Sequence, residues 1–378
     1  MINFFCKYGA FLFIINTILL SIKITYSLGG QIFLILMSLY FLMIVFNPKI
    51  IQRIIFHKSF KFLIIINFIN LIYFLFFHSL NDLEAIKYLL ARSVQFSVIS
   101  ISVFIYKDFY KKIFLKYVSY IIFIVLFIGF LRHPNLFEGR YSGIIWNPNA
   151  LSSFSVIALA MLFFSNHKKK VLDYFIMISF VIFSIASGSR GALLGICLMY
   201  FLAYGISYKN ISYFILSLII YFSILNFDFD TSFHRFAAQD LLNDRILQFK
   251  YAILSIENRL FTGYGLDKYS YLDKSLVPIH LKSSIIGAHN GYLSLLTQYG
   301  ILFGFILLYI IIYKSYTLLL YFKGMILEYG FYLYIIIYTL VASIYESLIV
   351  GINEFHTILF WLSLTYLSHE KFVLNDKN

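Results

Sequence analysis

A histidine and an asparagine stand directly ahead of an apolar helical run: His289-Asn290-Gly291, followed by Tyr292 to Tyr299. If Asn290 caps a helix beginning at Gly291, its side chain takes up backbone N–H groups left open at that helix start. His289 then sits at the positive end of the helix dipole, which disfavours imidazolium and keeps a neutral ring suited to general-base work near pH 7. An ordinary interfacial histidine fits the same position. Three arginines stand in settings that suit an anion. Arg190 lies in Ser187-Gly188-Ser189-Arg190-Gly191, a tight turn between two apolar runs. A guanidinium there is costly unless paired, and its planar fork matches a lipid diphosphate. Arg140 lies in Gly139-Arg140-Tyr141-Ser142-Gly143, ahead of Asn147-Pro148-Asn149. Asn147 suits a helix cap and Pro148 the first helical position, so Arg140 either snorkels or holds a phosphate or sugar at that N-terminus. Arg245 follows Asp244 in a stretch whose Ile246, Phe249, Ala252 and Ile253 recur at helical spacing, which predicts an amphipathic helix lying on a membrane. Plain pairing of Arg245 with Asp244 is the alternative. Gly263-Tyr264-Gly265 comes next.

Other chemistries lack their residues. No Cys, His, Asp or Glu set has metal-ligand spacing, no serine stands out for a Ser–His–Asp arrangement, and no Walker loop is present. Neither a metal nor another cofactor is expected. Cys6 and Cys197 both fall in apolar runs and read as packing residues.

What must position these groups is a membrane bundle. The chain has 378 residues, 61% hydrophobic, 21% aromatic and 12% charged, where soluble proteins carry about 25% charge. Its mean hydropathy is +0.85. Apolar runs of roughly 16–22 residues recur from end to end, long enough for a bilayer, and lack the short alternation of a β-barrel. The expected fold is an all-α polytopic membrane protein of about 12 transmembrane helices. The spans are 4–22, 28–46, 61–79, 88–106, 113–131, 148–165, 171–187, 191–206, 211–227, 300–321, 331–350 and 353–368. That divides the chain into helices 1–9 (1–227), one large loop (228–299) opening on Asp228, Asp230 and Phe233, and helices 10–12 with a tail (300–378). The run from Phe4 to Ser21 lacks a small-residue cleavage site and reads as a retained helix. Only Gly188-Ser189-Arg190 separates the seventh and eighth spans.

The net charge of +13 does not point to nucleic acid, because the lysines cluster between apolar runs, as in Lys107, Lys111, Lys112 and Lys116 or Lys168, Lys169 and Lys170. This positive-inside pattern puts both termini in the cytoplasm and the long loop outside. Ionisable residues then gather toward the outer face: Arg92, Arg132, His133, Glu138, Arg140, Arg190, Glu346, Glu354 and His356, with chiefly Asp173 in the inner half. Charges in a bilayer mark functional cavities, so the activity is expected at the outer leaflet. The absence of an internal repeat counts against a secondary transporter.

Together these stretches resemble the O-antigen ligase and Wzy-type polysaccharide polymerase superfamily. The carrying residues are Arg140 with Pro148-Asn149, Ser189-Arg190-Gly191, Arg245 ahead of Gly263-x-Gly265, and His289-Asn290-Gly291-Tyr292-Leu293 running to Gly300. The motifs span roughly residues 139–305, and the layout covers the whole chain. The resemblance implies a GT-C-like membrane enzyme of the bacterial inner membrane, with one large periplasmic loop between helices 9 and 10. It implies metal-independent, inverting glycosyl transfer from an undecaprenyl-pyrophosphate-linked oligosaccharide in lipopolysaccharide or other surface-polysaccharide biosynthesis. Arg190 and Arg245 would then bind the pyrophosphate and His289 would activate the acceptor hydroxyl, with Arg140 and Asn290 among the substrate-binding residues. Glu346, from its place among the outer-face ionisable groups, is a further substrate-binding candidate. The Arg-Tyr-Ser-Gly…Asn-Pro-Asn stretch and the Gly-Ser-Arg-Gly turn look more like polymerases than ligases of O-antigen, teichuronic or other surface polymers. A lipid-linked sugar flippase is the alternative of another class. Implied partners are the lipid-linked oligosaccharide, membrane lipid and a chain-length regulator.

Overall fold

The four prolines stand in a helix's first turn (Pro48, Pro148) or in connectors (Pro134, Pro278). None therefore interrupts an i→i−4 ladder, which in lipid is how a single segment satisfies its own backbone. The computed structural model describes residues 2–165, 167–225, 243–282, 285 and 287–376, and its named elements are all helical, with one isolated antiparallel bridge between Ile22 and Ile145. The α-helices are α1 (Ile2–Ser21), α2 (Tyr26–Phe46), α3 (Pro48–Ile55), α4 (Lys61–Phe77), α5 (Leu83–Phe109), α6 (Leu115–Arg132), α7 (Pro148–Phe163), α8 (Val171–Ala186), α9 (Arg190–Tyr204), α10 (Tyr208–Leu225), α11 (Asn243–Asn258), α12 (Gly291–Phe322), α13 (Ile326–Ala342) and α14 (Phe355–Asn375). Among the described residues, five stretches are long and apolar enough to cross a membrane: Asn3–Ser21, Tyr26–Phe46, Lys58–Phe77, Leu83–Arg132 and Gly291–Phe322. Shorter apolar helices accompany them. The protein is a helical, multi-pass membrane protein.

Several local expectations meet their structural outcome here. Gly188, at φ +60, turns the chain between α8 and α9, so the two runs are separate helices and not one bent one. The runs 88–106 and 113–131 are less separate than their charges suggested. A π-helical turn, Tyr110–Phe114, joins α5 to α6 beyond a kink at Tyr106. The acidic opening of the long loop, Asp228, Asp230 and Phe233, lies outside the described residues.

The centre of the molecule is α14. Every residue from Phe355 to Glu370 is buried, against α1, α5, α12 and α13. A helix apolar on all sides belongs inside a bundle. At the end of the bundle away from Glu346, where chiefly Asp173 was expected, this helix also carries ionisable groups. It continues past 368 and carries two more buried ones, His369 and Glu370. Glu370 pairs with Lys107 at 3.4 Å and accepts from the Tyr329 hydroxyl at 2.8 Å, while His369 stacks on Phe60. Each end of the bundle thus has its own polar cluster.

The described part of the loop is anchored by a backbone crossing. Within α12, Gly300 adopts φ +70 and ψ 176, which breaks the helix and frees carbonyls ahead of it. Residues 260–265 take them up. Tyr264 N–H donates to Thr297 O (2.9 Å), Gly265 N–H to Gln298 O (3.0 Å), and Ile301 N–H returns to Leu260 O (2.7 Å). The Tyr73 hydroxyl of α4 donates into the same crossing, lying 2.5 Å from Thr262 O and 2.9 Å from Gln298 O. A Cβ on Gly263 would lie 2.4 Å from Gln298 O, and one on Gly300 would lie 2.4 Å from Phe261 O.

Gly300→Ala should therefore be destabilising by at least ~1–3 kcal/mol, from backbone strain alone, before any clash is counted. Gly30→Ala, in α2 with nothing within 4 Å of its added Cβ, should be neutral or stabilising by a few tenths to ~1 kcal/mol. Thermal unfolding of both purified variants in one detergent checks this; equal melting would refute the crossing.

Candidate functional site

The helix that follows His289 is capped as its sequence requires. Asn290 Oδ1 accepts from the N–H groups of Tyr292 (3.0 Å) and Leu293 (2.9 Å). Its Nδ2 donates to Ile344 O at 2.8 Å, Gly291 N–H donates to Ser343 O at 2.7 Å, and the Tyr292 hydroxyl donates to Leu340 O at 2.6 Å. The start of α12 is thereby bolted to the end of α13 and to the connector beyond it. Asn290, placed among the substrate-binding residues by the resemblance, has its amide engaged by three partners within the chain. His289 itself has φ +41. A non-glycine residue there costs on the order of 1 kcal/mol and persists only where the surroundings fix it.

What faces His289 is Glu346. Imidazole Nδ1 lies 3.5 Å from Glu346 Oε2, the outer limit of a hydrogen bond. The other carboxylate oxygen, Oε1, accepts from Arg245 Nη2 at 3.0 Å. Arg245 Nη1 donates to the neighbouring Tyr345 carbonyl at 2.8 Å. One carboxylate therefore joins a guanidinium delivered by α11 to an imidazole delivered by the entry to α12. The pairing orients the ring: with Nδ1–H toward Glu346, Nε2 is the nitrogen left with its lone pair. Glu346 sits in the connector between α13 and α14, outside the membrane-spanning helices. Burial pushes its carboxyl up, but the hydrogen bond from His289 and the Arg245 charge outweigh burial and hold it below the ordinary 4.5.

Arg190 begins α9, and its neighbour Gly191 stands against the same connector. A Cβ on Gly191 would lie 3.3 Å from the Tyr345 hydroxyl. Arg140 is one step further out. Its Nε donates to Ser187 O at 3.3 Å, in the turn that carries Arg190, and its Nη2 donates to Asn149 Oδ1 at the head of α7. Asn147 caps α7, its Oδ1 accepting from Asn149 N–H at 2.7 Å. The geometry thus groups Arg245, His289 and Glu346 directly, sets the start of α9 against Tyr345, and ties Arg140 to the preceding turn.

Helix α11 departs in part from the expected membrane-lying face. Ala252 is buried with Tyr251, Leu272, Val277, Ile285 and Ala288 in the loop's own small core. Ile246, Phe249 and Ile253 line an open apolar depression instead. Sequence reasoning also missed a hydroxyl chain. Ser347 Oγ lies 2.8 Å from Ser270 Oγ and 3.0 Å from Ser294 Oγ, linking loop, connector and α12 beside Glu346. Ser270, like His289, has positive φ. Three serines far apart in sequence give no local signal.

A polytopic helical protein with arginine, histidine and carboxylate gathered at one end of its bundle is the class that fold and site define. Residues 174–309 match the model of the O-antigen ligase family. That stretch, from within α8 into α12, is similar to the O-antigen ligase family and holds Arg190, Arg245, His289 and both crossing glycines. Members of this family are glycosyltransferase-like enzymes that act on polysaccharides. No curated protein matches the chain.

The Glu346 carboxylate, with its lowered value, contributes stability that is full above the unfolded glutamate range and is lost as pH falls through its folded value. Glu346→Gln should therefore melt below wild type at pH 7, and the gap should narrow as pH falls below 4.5. Melting curves of the two proteins from pH 7 to pH 4 check the sign; a gap that widens on acidification would refute the pairing.

Proposed function

We propose that this protein polymerises undecaprenyl-pyrophosphate-linked oligosaccharide repeat units into O-antigen or another surface polysaccharide, at the periplasmic face of the bacterial inner membrane. In this reading both termini are cytoplasmic, about twelve helices cross the bilayer, and the segment 228–299 forms the external loop. Arg190 and Arg245 hold the diphosphate of the donor. His289 Nε2 takes the proton of the acceptor's attacking hydroxyl, whose oxygen bonds to the anomeric carbon as the bond to phosphate breaks. The electron pair leaves on the diphosphate, and direct attack inverts the anomeric centre. Guanidinium groups answer the charge that develops on the leaving group. Arg140 sets the turn ahead of Arg190, and Asn290 fixes the backbone that presents His289. Implied partners are the lipid-linked oligosaccharide, the surrounding lipid and a chain-length regulator.

The observation that carries this reading is the single Glu346 carboxylate shared by Arg245 and His289. It brings a guanidinium and an imidazole within one carboxylate's width, which supports their joint role. The choice of polymerase rests on the Arg-Tyr-Ser-Gly…Asn-Pro-Asn and Gly-Ser-Arg-Gly stretches. A second reading, transfer of finished polymer onto lipid A-core, is favoured by the description of the matched family as O-antigen ligase.

Gene deletion in the native strain should leave lipopolysaccharide carrying a single repeat unit on gels. Long chains retained on the carrier, over bare core, would instead establish the ligase, and no repeat at the outer leaflet would establish a flippase. His289→Ala should slow chain extension by ~10²–10⁴-fold, the range of general-base catalysis. Arg190→Ala and Arg245→Ala should abolish extension at unchanged protein level. Arg190→Lys should rescue poorly, since an ammonium cannot bind a diphosphate in bidentate fashion. Normal polymer from His289→Ala would remove its role as base.

A further inference from the structure

The connector between α13 and α14 is irregular backbone at the end of a membrane bundle, and almost every residue of it is held. Apart from the contacts at Ser343, Ile344, Tyr345, Glu346 and Ser347, Leu348 O accepts from the Thr357 hydroxyl at 2.6 Å. Past Ile349, three successive carbonyls are held by α5. Arg92 Nη2 donates to Val350 O (2.6 Å) and Gly351 O (3.0 Å), and Gln95 Nε2 donates to Ile352 O (2.6 Å). Arg92 Nη1 donates to Gln95 Oε1 at 3.0 Å, so the two side chains act as one fork. Behind them, Tyr88 OH accepts from Arg92 at 3.2 Å and lies 3.4 Å from Tyr299 OH, which donates to Asn70. Arg92 is 3% exposed, and its guanidinium is covered by chain. An arginine inside an apolar helix is costly on insertion scales. A neutral amide would hold a turn of backbone at less cost, so holding this connector is the return on a buried charge.

We propose that Arg92, working with Gln95, is a positioning residue for the site: by gripping the carbonyls of residues 350–352 from inside the bundle it fixes where Glu346 meets His289 and Arg245. The catalytic part of this inference rests on the function proposed above; the positioning part does not. Arg92 touches no substrate in this scheme. It acts through six residues of connector, pinned at one end by α12 and at the other by α5. Release of the α5 end lets Glu346 drift from His289, and the ring loses the partner that sets its tautomer.

The test uses the full-length chain in detergent, with wild type, Arg92→Gln, Arg92→Lys, Gln95→Leu and Glu346→Gln compared. The first readout is the His289 ring tautomer, read from ring-nitrogen NMR shifts of histidine-labelled protein and assigned by their loss in His289→Gln. Arg92→Gln should change the tautomer balance in the same direction as Glu346→Gln, with Gln95→Leu changing it less. The second readout is sugar transfer from a lipid-diphosphate oligosaccharide. Arg92→Gln should lower kcat on the order of 10²-fold, the cost of an ångström-scale misplacement, with KM little changed. Arg92→Lys, reaching one carbonyl, should restore part of it. A folded Arg92→Gln with the wild-type tautomer balance overturns the proposal. If Arg92→Gln does not fold, a wild-type balance in Gln95→Leu overturns it equally. Wild-type protein that transfers no sugar, while the His289 tautomer changes still appear, would sink the polymerase reading and leave the positioning role standing.

Discussion

The constraint on which this structure turns is that a helical bundle must find partners for ten residues of non-helical backbone packed at one of its ends. Buried N–H and C=O groups left unpaired are costly, so irregular backbone is kept where other parts of the chain answer it. From Ser343 to Ile352 the answers come from several sides: Gly291 and Asn290 from the entry to α12, Arg245 from α11, Thr357 from α14, and Arg92 with Gln95 from α5. The connector is thus a junction of elements far apart in sequence. Glu346 is the one side chain on it that unites a guanidinium with an imidazole, and the site exists because the junction does.

The loop reaches this junction through a second close approach. Gly263 and Gly300 let two backbones cross without side chains, so carbonyls freed by the break in α12 are taken by residues 260–265. That crossing fixes the base of the loop, and the loop in turn presents α11 with Arg245. His78 of the α4–α5 connector strengthens it. Its Nε2 accepts from Leu266 N–H at 3.2 Å while Nδ1 faces Asp82 at 2.6 Å, so a neutral ring bridges loop and bundle. The two glycines that help define the family resemblance are structural by this account: they bring the arginine and histidine arms to one place.

Local physics was legible in the sequence and long-range pairing was not. Asn147 before Pro148 and Asn290 before Gly291 announced two helix caps, and both form. The Gly188 turn was open to two readings from pattern, because three residues can bend a helix or end it, and the positive φ decides. Glu346 was visible as an acid near the end of an apolar run, but its partners stand 57 and 101 residues away, beyond any periodicity. Arg92 was read among the charges that mark a cavity; it does line a small one with Asn70, Tyr88 and Tyr299, while backbone carbonyls answer its charge. His369 and Glu370 were placed beyond the last span because hydropathy falls there, yet α14 keeps them buried, with Lys107 of α5 and Tyr329 of α13 as partners of Glu370. Hydropathy sees the cost of a group and not who meets it.

In the proposed reaction, sharing one carboxylate between Arg245 and His289 lets the site take a diphosphate while keeping an acid beside it. Before a donor arrives, Glu346 neutralises Arg245, so the loop arginine is not a lone buried cation. A diphosphate brings more charge than one carboxylate and a better fit to the guanidinium fork, and so draws Arg245 toward it. Glu346 is then left beside an anion, which is unfavourable until His289 takes the acceptor's proton. At that moment imidazolium and carboxylate become an ion pair, just as the leaving diphosphate gains the charge that Arg245 and Arg190 answer. In the proposed reaction Glu346 thus changes partner as the proton moves. The stabilisation appears in the transition state and not in the bound donor, which is the condition for an interaction to accelerate the step.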